Sequence, residues 1–278
     1  MRFGIALGAM HPAMFLTAVE AAEDLGYESV WFPEHLVLPL AMSSSPFPGE
    51  DHPPIPPTTP VYDVFAYLSF LAARTSRLRL GTHVYNLALR HPFVAARAVT
   101  TLDLLSGGRL ELGVGAGWLR GEWEAAGLDF ASRGARLDEA LEICRRLWTE
   151  PEVEHHGAHF DFRPVAFEPK PAQGPHPPVI IGGESAPALR RAARWDGWIG
   201  LSHTPDTVRA PLETLHRLRH EAGRAGDRFT VTVGAAPGSE ADIEAFAAAG
   251  VDRLIVGPWS RTREVPEALT TFARRYLD

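Results

Sequence analysis

Val179-Ile180-Ile181-Gly182-Gly183-Glu184-Ser185, followed by Ala186-Pro187, reads as a strand passing through a glycine turn into a helix. The apolar, β-branched run has the character of a buried strand. Ser185 stands where an N-cap belongs, and Pro187 falls in the first turn. The first N–H groups of such a helix have no partner within it and point outward with the positive end of the dipole. The unit is therefore either a small anion cradle or a plain strand-to-helix turn. The stretch alone does not separate the two.

Outward from this unit, the same alternation recurs along the whole chain. Phe3 to Leu7, Ser29 to Phe32, Leu78 to His83 and Leu110 to Val114 read as short buried strands before it. Asp196 to Ile199, Phe229 to Val233 and Arg253 to Val256 follow it. Helical patterns over Pro12–Leu25, Val61–Arg74, Pro92–Leu105, Ser132–Trp148, Ala186–Arg194, Pro205–Ala222, Ser239–Ala249 and Val265–Tyr276 separate or follow the strands. Strands that alternate with helices pair in parallel. Eight such units, with no linker-like break in composition, predict one (β/α)₈ barrel domain over residues 1–278. A doubly wound open sheet is the alternative.

Two stretches interrupt the alternation. Ser43 to Pro60 is dense in Pro and Ser, and Pro151 to Pro178 is again rich in proline. Both are expected as loops leaving the carboxyl face and lidding a pocket there, since long loops in compact domains are usually functional. A barrel carries its site on that face. The candidate site is therefore His11 after the first strand, Glu34 and His35 after the second, His83 to Asn86 after the third and Leu201 to His203 after the sixth. Gly115 to Trp118 follow the fourth strand, and Gly182 to Ser185 the fifth.

Composition excludes several function classes. The 278 residues carry a formal net charge of -7, which argues against nucleic-acid or anionic-membrane binding. Lys170 is the only lysine, which removes Schiff-base chemistry from most of the chain, and Cys144 is the only cysteine, so no internal disulfide is possible. The N-terminus lacks a signal layout and no apolar run is long enough to span a bilayer, so a cytoplasmic protein is expected. Gly113-Val114-Gly115-Ala116-Gly117 lacks the Rossmann spacing because Trp118 occupies the third glycine position. His155, His156 and His159 lie in a turn-rich stretch without acidic or thiolate ligands at set spacing, and His216 and His220 flank Arg217 rather than a glutamate. No metal site is expected from either group. Ser185 is not in a nucleophile elbow. Glu34-His35 stands apart, because an imidazole at a strand end can give or take a proton near neutral pH.

Several motifs together resemble one family. They are Trp31-Phe32-Pro33-Glu34-His35, Leu80-Gly81-Thr82-His83-Val84, Arg90-His91-Pro92, Thr101 to Leu110, Gly113 to Trp118, Phe167-Glu168-Pro169-Lys170-Pro171, Ile181 to Ser185 and Asp196-Gly197-Trp198. From Phe3 to about Leu201 the chain is similar to the bacterial luciferase-like flavin and deazaflavin oxidoreductases, and most to the actinobacterial branch that uses coenzyme F420. The resemblance implies a cofactor lying across the carboxyl face. Gly182, Gly183, Glu184 and Ser185 would hold its phosphate, with the Glu184 side chain turned away. Gly115, Ala116, Gly117 and Trp118 would flank the ring, and Glu34, His35, Thr82, His83 and Val84 would border it. A non-proline cis peptide is implied near His83-Val84. His35 matches the histidine beside the reactive ring and is the expected catalytic residue. Relatives that oxidise sugar phosphates carry glutamate where this chain has Trp118, and they bind the phosphate with lysines. Both departures count against a sugar phosphate here. The resemblance thus implies hydride transfer between F420 and an organic substrate, in a homodimer. An FMN-dependent monooxygenase fed by a partner reductase and a non-catalytic flavin-binding accessory protein are the alternatives.

Overall fold

The structure, a computed structural model, describes residues 1–42, 45–46 and 55–277. Most of the stretch expected as the first lid lies outside these residues. Eight parallel strands close into a barrel in the order β1 (Arg2–Ala6), β2 (Ser29–Phe32), β3 (Arg79–Thr82), β4 (Leu110–Val114), β7 (Val179–Gly182), β8 (Gly197–Gly200), β9 (Thr230–Gly234) and β10 (Arg253–Val256), which returns to β1. The (β/α)₈ expectation holds, and the doubly wound sheet is excluded. Around the barrel lie α1 (Phe15–Asp24), α2 (Val64–Arg74), α3 (Pro92–Leu105), α5 (Arg133–Thr149), α6 (Ala186–Ala192), α7 (Arg209–Glu221), α8 (Glu240–Ala248) and α9 (Val265–Tyr276).

Local chemistry starts the helices where the chain turns over the carboxyl face. Asp63 accepts from Ala66 N–H at 2.8 Å to open α2, and the His91 ring caps α3 with Pro92 in its first turn. Ser185 caps α6 through Ala188 N–H at 3.4 Å. Each cap satisfies a donor that the helix itself cannot.

The amino end of the barrel is closed by a charged and aromatic plug. Arg253 is fully buried and makes two hydrogen bonds to Glu28, at 2.8 and 2.7 Å, while a third reaches Glu111 at 3.3 Å. Arg79 also pairs with Glu111. Trp31 lies across the interior above them, and a Cβ on Gly81 would come within 2.3 Å of its ring. Glycine is required there because the indole occupies the side-chain position.

Two elements depart from the expectation. The stretch from Pro151 to Pro178 contains an antiparallel hairpin, β5 (Val153–His156) and β6 (Asp161–Val165). It connects the end of α5 to the start of β7, packs outside the barrel and contributes no residue to the cavity described below. It is therefore not a lid. A further helix, α4 (Arg120–Ala125), lies between β4 and α5 and carries Glu122 to the barrel mouth. Cys144 is a fully buried core thiol.

Candidate functional site

A cavity of about 910 Å³ opens among the carboxyl ends of the strands. Its walls come from the segments after β1, β2, β3, β4, β7 and β8, with Ile55, Thr59 and Pro60 from the first inserted stretch and Val61 and Tyr62 from the residues before α2. Phe15, Phe32 and Tyr62 make one side apolar.

The β2 end places two acidic-basic groups with different fates. Glu34 borders the cavity, but its carboxylate accepts from Asn86 N–H at 2.9 Å and from Arg90 at 2.6 Å. That pair ties the β2 end to the segment before α3. His35 lines the cavity with Nδ1 3.1 Å from Oε2 of Glu122, and the edge of Trp118 meets its ring at 5.7 Å and 85°. Glu122 has no exposed surface. Its other oxygen accepts from Leu36 N–H at 2.5 Å, and Asn86 Nδ2 stands 3.5 Å from Oε2.

After β3, the His83–Val84 peptide is cis, at the position the resemblance implied. His83 lines the cavity beside Trp31, and burial pushes its imidazole down to about 4. Thr82 is not part of the lining, because its hydroxyl donates to Gly113 O at 2.6 Å inside the barrel wall. Val84 supplies the wall in front of the glycine strand ends. A Cβ on Gly115 would lie 2.7 Å from Val84 Cγ2, and one on Gly182 would lie 2.9 Å from Cγ1. These glycines answer first to Val84, and only the backbone beyond it is left open to a ligand.

Gly182 to Ser185 line the opposite end. The Glu184 carboxylate turns to the β8 end, where Leu201 N–H donates at 3.2 Å and His203 Nε2 stands at 3.0 Å. This leaves the Gly183 and Ser185 backbone and the Ser185 hydroxyl at the wall. Two arginines complete it. Arg191 is neutralised by Asp138 at 2.6 and 2.9 Å and donates to Gly134 O at 3.0 Å, which joins α6 to the first turn of α5. Arg133 lies over the Phe130 ring at 3.9 Å and has no carboxylate partner among the described residues.

The structure thus gathers His35, Glu34, His83, Val84, Gly115 to Trp118 and Gly182 to Ser185 around one cavity, and leaves Thr82 behind its wall. Sequence reasoning placed Asn86 at the site and missed Glu122 and Arg133. Glu122 is 87 residues from the histidine it meets, and only the return of α4 onto the β2 end joins them. No group of three or more metal-ligating side chains forms among the described residues. The single lysine is spent on α5, where its ammonium donates to the carbonyls of Leu147 and Glu150 at 2.9 and 2.6 Å.

An apolar wall, a stretch of backbone free of long side chains, and a distal end with a hydroxyl, open N–H groups and an uncompensated guanidinium fit a flat heteroaromatic group with an anionic tail. The luciferase-like monooxygenase family matches residues 1–270. An uncharacterised protein of Mycobacterium tuberculosis is 33% identical over 259 residues, covering 92% of this chain and 89% of its own. The phthiodiolone/phenolphthiodiolone dimycocerosates ketoreductase of Mycobacterium bovis is 30% identical over 250 residues, covering 86% of this chain and 65% of that protein. An F420-dependent secondary alcohol dehydrogenase, solved with an F420-acetone adduct, superposes with a TM-score of 0.80 at 16% identity over 98% of this chain and 97% of its own.

Proposed function

Because the chain belongs to the luciferase-like monooxygenase family, we propose that it transfers a hydride between reduced coenzyme F420 and an activated C=O, C=C or C=N bond of a small organic substrate. The observation that carries this reading is His35. Among the described residues it is the one cavity-lining imidazole backed by a fully buried carboxylate. When bound, the deazaflavin supplies the hydride, a two-electron step that needs no oxygen. The chain has to bind, orient and exclude water. Gly183, Ser185 and Arg133 hold the anionic tail, and Val84 and Gly115 to Gly117 bound the ring. Phe15, Phe32 and Tyr62 give an organic substrate an apolar seat. His35 gives or takes the proton at the substrate heteroatom, a contribution of roughly 10²–10⁴ in rate for a well-placed acid or base. Trp118 beside it and the absence of lysine from the cavity favour an uncharged, apolar substrate over a phosphorylated one.

The family's own description favours a second reading, an FMN-dependent monooxygenase supplied by a reductase. Titration of the protein with each cofactor separates the two. Micromolar binding of F420 is expected, and micromolar FMN binding with none for F420 would remove the deazaflavin from this proposal. His35→Ala is expected to lower turnover of reduced F420 with cyclohexanone or cyclohex-2-enone by roughly 10²-fold or more while leaving F420 binding intact. The same reading carries a homodimer as the assembly.

A further inference from the structure

We infer that Glu122 is a positioning residue, holding the His35 imidazole as its Nδ1–H tautomer so that Nε2, facing the cavity, takes up a proton from solvent and passes it to the substrate oxygen as the hydride reaches the carbonyl carbon. This rests on the reading of His35 given above.

A carboxylate with no exposed surface must have each oxygen met by donors. Leu36 N–H meets Oε1 at 2.5 Å and Asn86 Nδ2 stands 3.5 Å from Oε2. Both of these groups can only donate. The nearby guanidinium of Arg90 is held by Glu34 at 2.6 Å, and no ion pair joins an arginine to Glu122 among the described residues. The remaining neighbour of Oε2 is Nδ1 of His35 at 3.1 Å, and an ionised carboxylate offers it no proton. The proton between them therefore belongs to the ring. A neutral imidazole protonated at Nδ1 has its lone pair at Nε2. Trp118 packs against the ring at 5.7 Å in an edge-to-face arrangement, and His35 lines the cavity. When Nε2 takes up a proton, the carboxylate already stands 3.1 Å from the ring that carries the new charge.

Arg133 lies at the distal end without a carboxylate partner among the described residues, the His11 ring accepts from Ala13 N–H, and three other charged groups along the cavity are already paired. Glu34 is bound to Arg90, Glu184 turns to Leu201 and His203, and Arg191 to Asp138. His83 has no carboxylate against it, and its burial keeps it neutral.

Glu122→Gln tests the inference because it keeps the shape and changes one oxygen to a donor. The Leu36 backbone N–H cannot rotate, so it claims the amide oxygen and leaves the amide NH₂ against Nδ1. The ring must then carry its proton on Nε2. Long-range ¹H–¹⁵N spectra of the ¹⁵N-histidine-labelled full chain, recorded without cofactor, read the tautomer directly. The expected result is Nδ1–H for the wild type and Glu122→Asp, and Nε2–H for Glu122→Gln. With reduced F420 and cyclohexanone, Glu122→Gln is expected to lose roughly 10²-fold or more in kcat at unchanged F420 affinity, and Glu122→Asp to recover part of it. A wild-type His35 protonated at Nε2 overturns the inference, as does an unchanged tautomer in Glu122→Gln or a switched tautomer with full turnover. The wild-type spectrum is decisive even if Glu122→Gln does not fold. If the tautomers behave as stated and the wild type reduces no ketone or enone with F420, the hydride-transfer reading fails and the assignment of Glu122 to His35 stands.

Discussion

His83 shows how a residue can be legible as part of a site and still have its charge set by the fold. Its imidazole is pushed from an ordinary 6.5 to about 4 by burial, so it is uncharged at neutral pH. Between those two values the unfolded chain binds a proton that the folded chain does not. Its contribution to stability is therefore complete above about 6.5, is lost as pH falls toward 4, and levels off below. The melting temperature of the wild type should drop across that window more steeply than that of His83→Asn; parallel curves would show that His83 protonates freely in the folded protein. His35 could be picked out for standing at a strand end, where barrels do chemistry. Glu122 could not, because nothing in the run Leu119-Arg120-Gly121-Glu122-Trp123 distinguishes it from its exposed neighbour Glu124. Arg133 was hidden for the same reason, among many arginines whose pairing only the fold decides.

At the scale of elements, strong period and clear punctuation made most boundaries readable. Pro92 to Leu105, Leu110 to Val114, Arg253 to Val256 and Val265 to Tyr276 have the bounds their apolar patterns predict. The elements that escaped are short or weakly patterned. The six residues of α4 give under two turns of period. In the hairpin, Glu154, His155 and His156 dilute β5, and Pro164 lies within β6, where a proline argues against a strand. The Arg253 network is the converse case, a charged residue inside a strand. Arg253 joins β10 to Glu28 before β2 and to Glu111 on β4, so three strands share one guanidinium. Arg253→Met removes the buried cation that Glu28 and Glu111 share, leaving Glu28 only the more distant Arg2 at 3.6 Å and Glu111 only Arg79, and should cost about 3–5 kcal/mol in urea unfolding. Adding Glu28→Gln and Glu111→Gln should return much of that loss. A single variant within experimental error of the wild type would mean the network contributes nothing.

The molecule as a whole puts the hairpin insertion outside and the cavity at the strand ends, which strand counting had to assume and closure of the barrel supplies. None of its helices among the described residues is long and apolar enough to cross a membrane. On the outer surface, α2 and α3 leave Phe70, Val94 and Leu105 exposed at 47%, 60% and 66%. Exposed apolar side chains on two neighbouring helices suit a two-fold interface of identical chains, and they are the support for the homodimer proposed above. Light scattering at micromolar concentration should give about twice the 30.4 kDa chain mass. Val94→Glu combined with Leu105→Glu should give the single-chain mass with the fold retained. A wild-type protein found only at the single-chain mass would remove this assembly.

The valine at the barrel mouth has a last consequence. Because the two methyls of Val84 occupy the space before Gly115 and Gly182, the residues permitted at those two positions depend on which residue stands at 84. Alanine at 115 or 182 forces a shift while valine remains; cutting position 84 back to alanine or glycine frees 115 and leaves 182 only a tight approach to the Ile199 methyl at 3.3 Å. Any attempt to reshape this pocket in the laboratory therefore has to vary the three positions jointly. A library that samples them one at a time will find 115 and 182 closed and only position 84 open to truncation.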